Sequence, residues 1–389
     1  MKPAIANSAF DALDEETLRK RRSAKWAYYP QDVLPAWIAE MDFPLAEPIA
    51  RVLHEAIDAG DAGYASALDL GDTVAAWMKE TWAVSVSGED VHLAPDVVTA
   101  MAEVLRVATA PGDRVLIEPP VYPPFAGTIV ALGRRVATAP VLCTPHGFAP
   151  NLEAIERAYA SGVRAHLLCS PHNPTGLVYA AAALERIAGL AERHGVLVLA
   201  DEIHAPLTYP DEVHTPFLAV SEESRRRSIT LSSASKTWNI AGLKAAWLVG
   251  VSDGPRAVLA KLGHEIAYRA GHLGVLATRA ALREGQGWRS NAIATLDRNR
   301  VLLGELLRDA LPSIGYVPPR AGYLAWLDCR GLGLGPDPAQ AFLAEGKVAL
   351  SSGPTFGVEG RGFARLNIAT SRRLLEEAVR RMARAARTR

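Results

Sequence analysis

The chain has 389 residues, 49% of them apolar, and its 42 Lys and Arg balance 42 Asp and Glu. That length exceeds one ordinary domain and suits a large domain plus a smaller one, with apolar residues enough for a sizeable core. A net charge of zero gives no field to attract nucleic acid or anionic membrane, so a polyanionic partner is not expected, and no stretch has the length of a membrane span.

Three cysteines, Cys143, Cys169 and Cys329, have neither metal nor disulfide spacing. The last two lie in apolar, strand-like runs and read as core; no metal site is expected. The N-terminal stretch MKPAIANSAFDALDEETLRKRR lacks an apolar signal region, so a cytoplasmic protein is expected.

Residues 1–46 combine a short charged helix around Asp14–Arg22 with KWAYYPQDVLPAWIAEMDFPLAEP, rich in Pro and aromatics. That composition suits an ordered arm wrapping another surface better than a disordered tail. Helical periodicity follows over Pro48–Ala59 and again over about Leu70–Trp82, with the loop DAGYASA between them presenting Tyr64. From His92 to about Val251 the apolar runs VLIEPP, HLLCSP, VLVLADEI and SITLSS alternate with helical segments such as MAEVLRVAT, LEAIERAYA and AALERIAGLAERHG. Strands apolar throughout, alternating with helices, predict an α/β domain whose mostly parallel sheet is covered on both faces. In such sheets ligands gather at the carboxyl ends of the strands. The polar punctuation falls there: Pro119-Pro120, Ser170-Pro-His-Asn, Asp201-Glu-Ile-His and Ser232-Ser233. Beyond Val251 a long helical region reaches about Leu311. GYLAWLDCR and FARLNIAT are strand-like, DPAQAFLAEG is helical, and LLEEAVRRMARAA closes the chain as an amphipathic helix, a smaller α+β unit. The expected division is 1–46 as an arm belonging to the small domain, 47–285 as the large domain and 286–389 as the small one.

Within this frame SITLSSASKTWNIAGLKAAWLVG, residues 228–250, delivers Lys236 from a turn of small hydroxyl residues into apolar company. Burial disfavours an ammonium, so such an amine is a candidate to form an imine with a carbonyl compound, as lysines that hold pyridoxal phosphate do. That cofactor also needs an acid for its ring nitrogen, a partner for its phenolic oxygen and a phosphate cradle. Asp201 at the end of VLVLA is the candidate acid, because a buried carboxylate requires a cation. His204 and Asn173 are candidates for the phenolic oxygen, and Tyr122, held between prolines, for stacking on the ring. The amides that open the helix at Val98 and Thr99, with Ser233 and Ser235, are candidates for the phosphate. Each has a plainer reading when taken singly: a solvated loop lysine, a turn aspartate, a histidine on a backbone carbonyl, turn chemistry at Asn173, a surface proline-rich turn at Tyr122.

Taken in order, Tyr64, Tyr122, SPHNPTG with Asn173, ADEIH with Asp201 and His204, SSASK with Lys236, and GFARLN with Arg365 resemble the fold-type I pyridoxal phosphate enzymes of the aspartate aminotransferase superfamily. The resemblance covers nearly the whole chain. Within that superfamily KW...LPAWIAEMDF, SKTWNIAGLK and GPTFGVEGRGFARLNIAT are similar to the MalY/PatB branch of cystathionine β-lyases. The resemblance implies that Lys236 holds the cofactor as a Schiff base and moves the Cα proton, that Asp201 pairs with the pyridinium, that Asn173 and His204 face the phenolic oxygen and that Tyr122 stacks. It further implies that Arg365 clamps the substrate carboxylate through its planar fork, and that Tyr64 reaches the cofactor of a neighbouring subunit in a homodimer. Two departures stand out: Lys244 occupies the region where many members place a phosphate-binding arginine, and Asp96 stands where glycine is usual, bringing a carboxylate close to the phosphate.

The implied reaction is β-elimination from an S-substituted L-cysteine such as cystathionine. An aminotransferase using the same residues is the alternative, and a regulatory protein retaining the fold is a third reading, which the absence of a basic arm or helix-turn-helix in the sequence disfavours. The S-side pocket is left open, with Tyr28, Trp37 and Met41 as candidates.

Overall fold

The computed structural model describes residues 10–144 and 147–387; the first nine residues of the N-terminal arm lie outside the described residues. The chain forms two compact units. The larger comprises 45–173 and 177–289; the smaller comprises the chain up to Pro44, residues 174–176 and 290–389. The second boundary falls inside the continuous helix Gln286–Ala310, so no turn marks it in the sequence.

In the larger unit the described residues form a seven-stranded sheet of β1 (Val91–Ala94), β2 (Arg114–Ile117), β3 (Arg135–Thr138), β4 (Val163–Cys169), β5 (Leu197–Asp201), β6 (Ser228–Ser232) and β7 (Ala246–Val249), in the order β1-β7-β6-β5-β4-β2-β3. β3, β2, β4, β5 and β6 are mutually parallel. β7 runs against both β6 and β1, so β1 shares the common direction. The sequence reading does not separate β7, which is joined to β6 by only thirteen residues, the short helix Ala234–Thr237 among them, with no long crossover helix to mark it. Period-two alternation explains why these strands are apolar throughout. Leu116, Leu168, Val198 and Ala200 enter one core, whereas Val115, Ile117, Leu167, Leu199, Ile229 and Leu231 enter the other.

This topology brings the chain after β2, β4, β5 and β6 to a single carboxyl edge, where the helix Val97–Ala108 also begins. Helices Glu47–Asp58 and Leu70–Trp82 form where periodicity places them, whereas the first charged helix shrinks to Glu15–Leu18, capped by Asp14. The long helical region after Val251 is broken into 253–259, 265–268, 272–284 and 286–310. Cys169 and Cys329 are buried and Cys143 is exposed. Among the described residues no helix is long and apolar enough to cross a membrane.

The smaller unit is built on an antiparallel sheet of β8 (Gly315–Tyr316), β9 (Leu324–Asp328), β10 (Ser351–Ser352) and β11 (Phe363–Asn367), ordered β8-β9-β11-β10. The N-terminal arm is ordered against this unit: Leu34–Pro35 pairs with Val348–Ala349. Lys25 Nζ lies 2.8 Å from Asp42, both fully buried, and the Trp26 indole N–H also donates to Asp42, at 2.7 Å. Loss of either partner would leave an uncompensated buried charge, which is why the pair fixes the arm. Met41 is wholly buried and belongs to the core, so it cannot line an S-side pocket. Tyr28, Tyr29 and Trp37 form an aromatic cluster, with Trp37 centred 5.1 Å from Tyr28 and 5.7 Å from Tyr29.

Candidate active site

Asp201 ends β5 between two parallel neighbours, in register with Cys169 of β4 and Leu231 of β6. Its side chain is buried, and among the described residues the Ile203 N–H, 3.1 Å away, is the hydrogen-bond donor to its carboxylate. Burial pushes the carboxyl up to about 7; the Ile203 amide and the positive charge of Lys236 pull it down only in part, and the neighbouring Glu202 pushes it further up. A carboxylate so placed is under-compensated and suited to a cationic N–H donor.

Lys236 sits half-buried on the turn Ala234–Thr237 that follows β6. Ser233 shapes that turn: its hydroxyl accepts the Ser235 N–H at 3.0 Å and donates to the Ala245 carbonyl at 2.6 Å. Behind the lysine the wholly buried Trp238 donates to the Gly285 carbonyl at 2.9 Å, fixing the backbone that carries the amine.

The helix Val97–Ala108 presents its N-terminus at the same edge, but Asp96 is its cap. One Asp96 carboxylate oxygen accepts the Thr99 N–H at 2.8 Å and the other lies 3.2 Å from Lys244 Nζ. Burial pushes the Asp96 carboxyl up, yet Thr99 and Lys244 together hold it below its ordinary range. Thr99 and Lys244, both expected at a phosphate, are therefore joined through Asp96, and the Ser233 hydroxyl is already committed to Ala245. Val98 occupies the first turn of the helix and Ser235 is partly exposed.

Asn173 and His204 are both buried at this edge, after β4 and β5. The Asn173 N–H donates to Cys169 Sγ at 3.4 Å. Tyr122 follows β2, partly buried against the core and edge-on to Phe125 with centroids 6.1 Å apart. The structure thus gathers Lys236, Asp201, Asn173, His204 and Tyr122 at the ends of four adjacent strands. Neighbouring strands lie about 5 Å apart, a spacing at which one aromatic ring reaches several strand ends.

Sequence reasoning missed Glu118, the first residue after β2, which is buried with His166, Tyr159 and Tyr179. The available signal was a carboxylate placed between an apolar strand and Pro119-Pro120. It also missed Glu202, whose carboxylate accepts the Phe217 N–H at 2.6 Å and lies 3.8 Å from His214.

In the smaller unit Arg365 on β11 is buried, donates through Nη2 to the Trp37 carbonyl and to Ser351, each at 3.1 Å, and lies over the Phe356 ring at 4.9 Å. An arginine held inside an apolar strand is preorganised rather than idle. Tyr64 is 86% exposed on its loop, edge-on to Tyr268 at 6.2 Å. Ion pairs tie that loop down at both ends: Asp61 with His272 at 2.8 Å, and Asp69 with Arg279 and Arg283.

The donor set fits pyridoxal phosphate on the strength of one feature: a buried, under-compensated carboxylate within the field of a lysine at the carboxyl edge of a parallel sheet. A ring N–H⁺ answers the carboxylate and an aldehyde answers the amine. A family model described as aminotransferase class I and II matches residues 45–382. The chain is 34% identical to cystathionine beta-lyase PatB of Bacillus subtilis, over 93% of this chain and 96% of that protein. It is 32% identical to cystathionine beta-lyase of Corynebacterium glutamicum, over 95% and 98%. Among solved structures, cystalysin from Treponema denticola, which contains a pyridoxal 5'-phosphate cofactor, matches with a TM-score of 0.89 at 26% identity, over 95% of this chain and 97% of that one.

Proposed function

The chain belongs to the aminotransferase class I and II family, and from that premise we propose that it is a pyridoxal phosphate-dependent carbon–sulfur lyase acting on S-substituted L-cysteines such as cystathionine. The observation that carries this reading is a buried Asp201 at the end of β5 with Lys236 on the segment that follows the adjacent β6, joined to likeness over nearly the full chain to relatives named cystathionine beta-lyase. When bound, pyridoxal phosphate supplies an aldehyde that joins an amino group and a protonated ring that accepts electrons from Cα.

The chain's own residues do the rest. Lys236 would anchor the cofactor through its amine, and the same amine, when free, would take the Cα proton. Asp201 would keep the ring nitrogen protonated. Asn173 and His204 would hold the phenolic oxygen and Tyr122 would cover the ring face; Val98 and Ser235 would meet the phosphate directly, whereas Thr99, Lys244 and Ser233 would do so only on exchanging their present partners Asp96 and Ala245. Arg365 orients the substrate through its α-carboxylate. The Cα–H and Cβ–S bonds break, the thiol departs with a proton, and water completes the conversion to pyruvate and ammonia.

The active protein in this reading is a cytoplasmic homodimer in which Tyr64 reaches the partner's phosphate, and its exposure in the single chain supports that role. Incubation with cystathionine in the absence of any 2-oxo acid is expected to release pyruvate. Turnover that appears only when a 2-oxo acid acceptor is supplied would assign an aminotransferase instead.

A further inference from the structure

Glu118 stands where β2 gives way to Pro119-Pro120, and three groups converge on it within the larger unit. His166 Nε2 on β4 lies 3.3 Å from one carboxylate oxygen, and the Tyr179 hydroxyl donates to the other. The Glu118 backbone carbonyl lies 3.0 Å from His172 Nε2. A carbonyl can only accept, so His172 carries its proton on Nε2, and burial holds this imidazole below its ordinary range and hence neutral. His166 is in turn held through Nδ1 by the Tyr159 hydroxyl at 2.9 Å. All five side chains are within 2% of full burial, in a cluster that is otherwise apolar. Burial pushes the Glu118 carboxyl up, but His166 and Tyr179 more than offset it and the group lies below its usual range. An apolar core carries a polar network of this size at a desolvation cost, here held by the Glu118–His166 ion-pair contact and the hydrogen bonds around it, and its use is to fix geometry.

What the network fixes follows from the chain on either side. Glu118 is four residues from Tyr122, and His172 immediately precedes Asn173. One residue therefore ties the segment after β2 to the loop after β4, through its side chain and its backbone at once. We propose that Glu118 is a positioning residue for the cofactor ring, clamping the segment that carries Tyr122 to the loop that carries Asn173. This rests on the pyridoxal phosphate reading above. The clamp sets how the ring is held between the two side chains, and so governs cofactor affinity and the asymmetry of its surroundings.

The test is titration of the cofactor-free full chain with pyridoxal phosphate, following visible absorbance and induced circular dichroism, in wild type and in the Glu118→Ala, Glu118→Gln and Tyr179→Phe variants, with thermal unfolding of each cofactor-free form alongside. Glu118→Ala is expected to weaken cofactor binding about tenfold or more and to reduce the induced signal per bound cofactor. Glu118→Gln, isosteric and still able to accept from Tyr179, is expected to recover affinity to within about threefold of wild type. Tyr179→Phe removes a single hydroxyl and carries the test if Glu118→Ala does not fold; it is expected to fall between the two. Wild-type affinity and an unaltered signal in Tyr179→Phe and Glu118→Ala, whatever the loss of stability, would overturn the inference while leaving the enzyme reading intact. A wild-type chain that takes up no cofactor would overturn both.

Discussion

Asp201 and Lys236 lie at the ends of adjacent parallel strands, and the lysine's charge pulls on the aspartate's carboxyl without cancelling the cost of burying it. In the folded, cofactor-free chain Asp201 keeps its proton up to about pH 7, against an ordinary value of 3.8. Between about pH 4 and 7 only the unfolded chain releases that proton, so this residue's contribution to stability falls as pH rises through the window and is level above it, by up to about 4 kcal/mol. Asp201→Asn removes the slope. Urea unfolding of cofactor-free wild type and Asp201→Asn is expected to show the variant gaining on wild type from pH 5 to pH 8; a difference independent of pH would contradict the buried, raised carboxyl. The same variant is expected to lose at least about a hundredfold in kcat, since it can no longer pair with a cationic ring.

Arg365 is held by Trp37, Ser351 and Phe356 before any substrate arrives. Arg365→Lys keeps the charge and loses the fork, and is expected to raise KM for the amino acid about tenfold or more with a smaller change in kcat. A KM within twofold of wild type would remove this residue from carboxylate recognition.

Asp96 caps the helix at Val97 and engages Lys244. Asp96→Asn keeps a good cap and removes the negative charge beside the expected phosphate position, so pyridoxal phosphate binding is expected to tighten a few-fold with little loss of thermal stability. Asp96→Ala is expected to cost about 1 kcal/mol through the cap alone. Unchanged binding in Asp96→Asn would place the phosphate away from this helix.

Tyr64 is tested by mixing. Lys236→Ala and Tyr64→Ala chains are each expected to have little activity alone; in the proposed homodimer a hybrid of the two has one site with both residues if the tyrosine acts in trans. Activity appearing on unfolding and refolding them together is the expected result; none in a mixture shown by mass to contain the hybrid would contradict it.

Much of this architecture could be read from residues alone, because apolar strands ending in polar turns leave a strong trace: VLVLADEI and SITLSSASK each display both a buried strand and the chemistry at its end. Full-length resemblance is the source of the roles proposed for the site. What the sequence hid was pairing across distance. Nothing in LAPDVV reveals that Lys244, far along the chain, meets Asp96, nor that His166 inside an apolar strand turns toward Glu118. Met41 illustrates the converse: its place in the N-terminal arm made it a candidate for the S-side pocket, whereas packing buries it wholly. The unit boundary near residue 289 was blurred because it runs through one unbroken helix.

The proposed chemistry requires covalent attachment of the cofactor at one amine. Reduction of the cofactor-loaded chain with borohydride, followed by proteolysis and mass mapping, is expected to place a single reduced pyridoxyl phosphate on Lys236, with none fixed in Lys236→Ala. A label on another lysine, or a wild-type chain that acquires none, would contradict it.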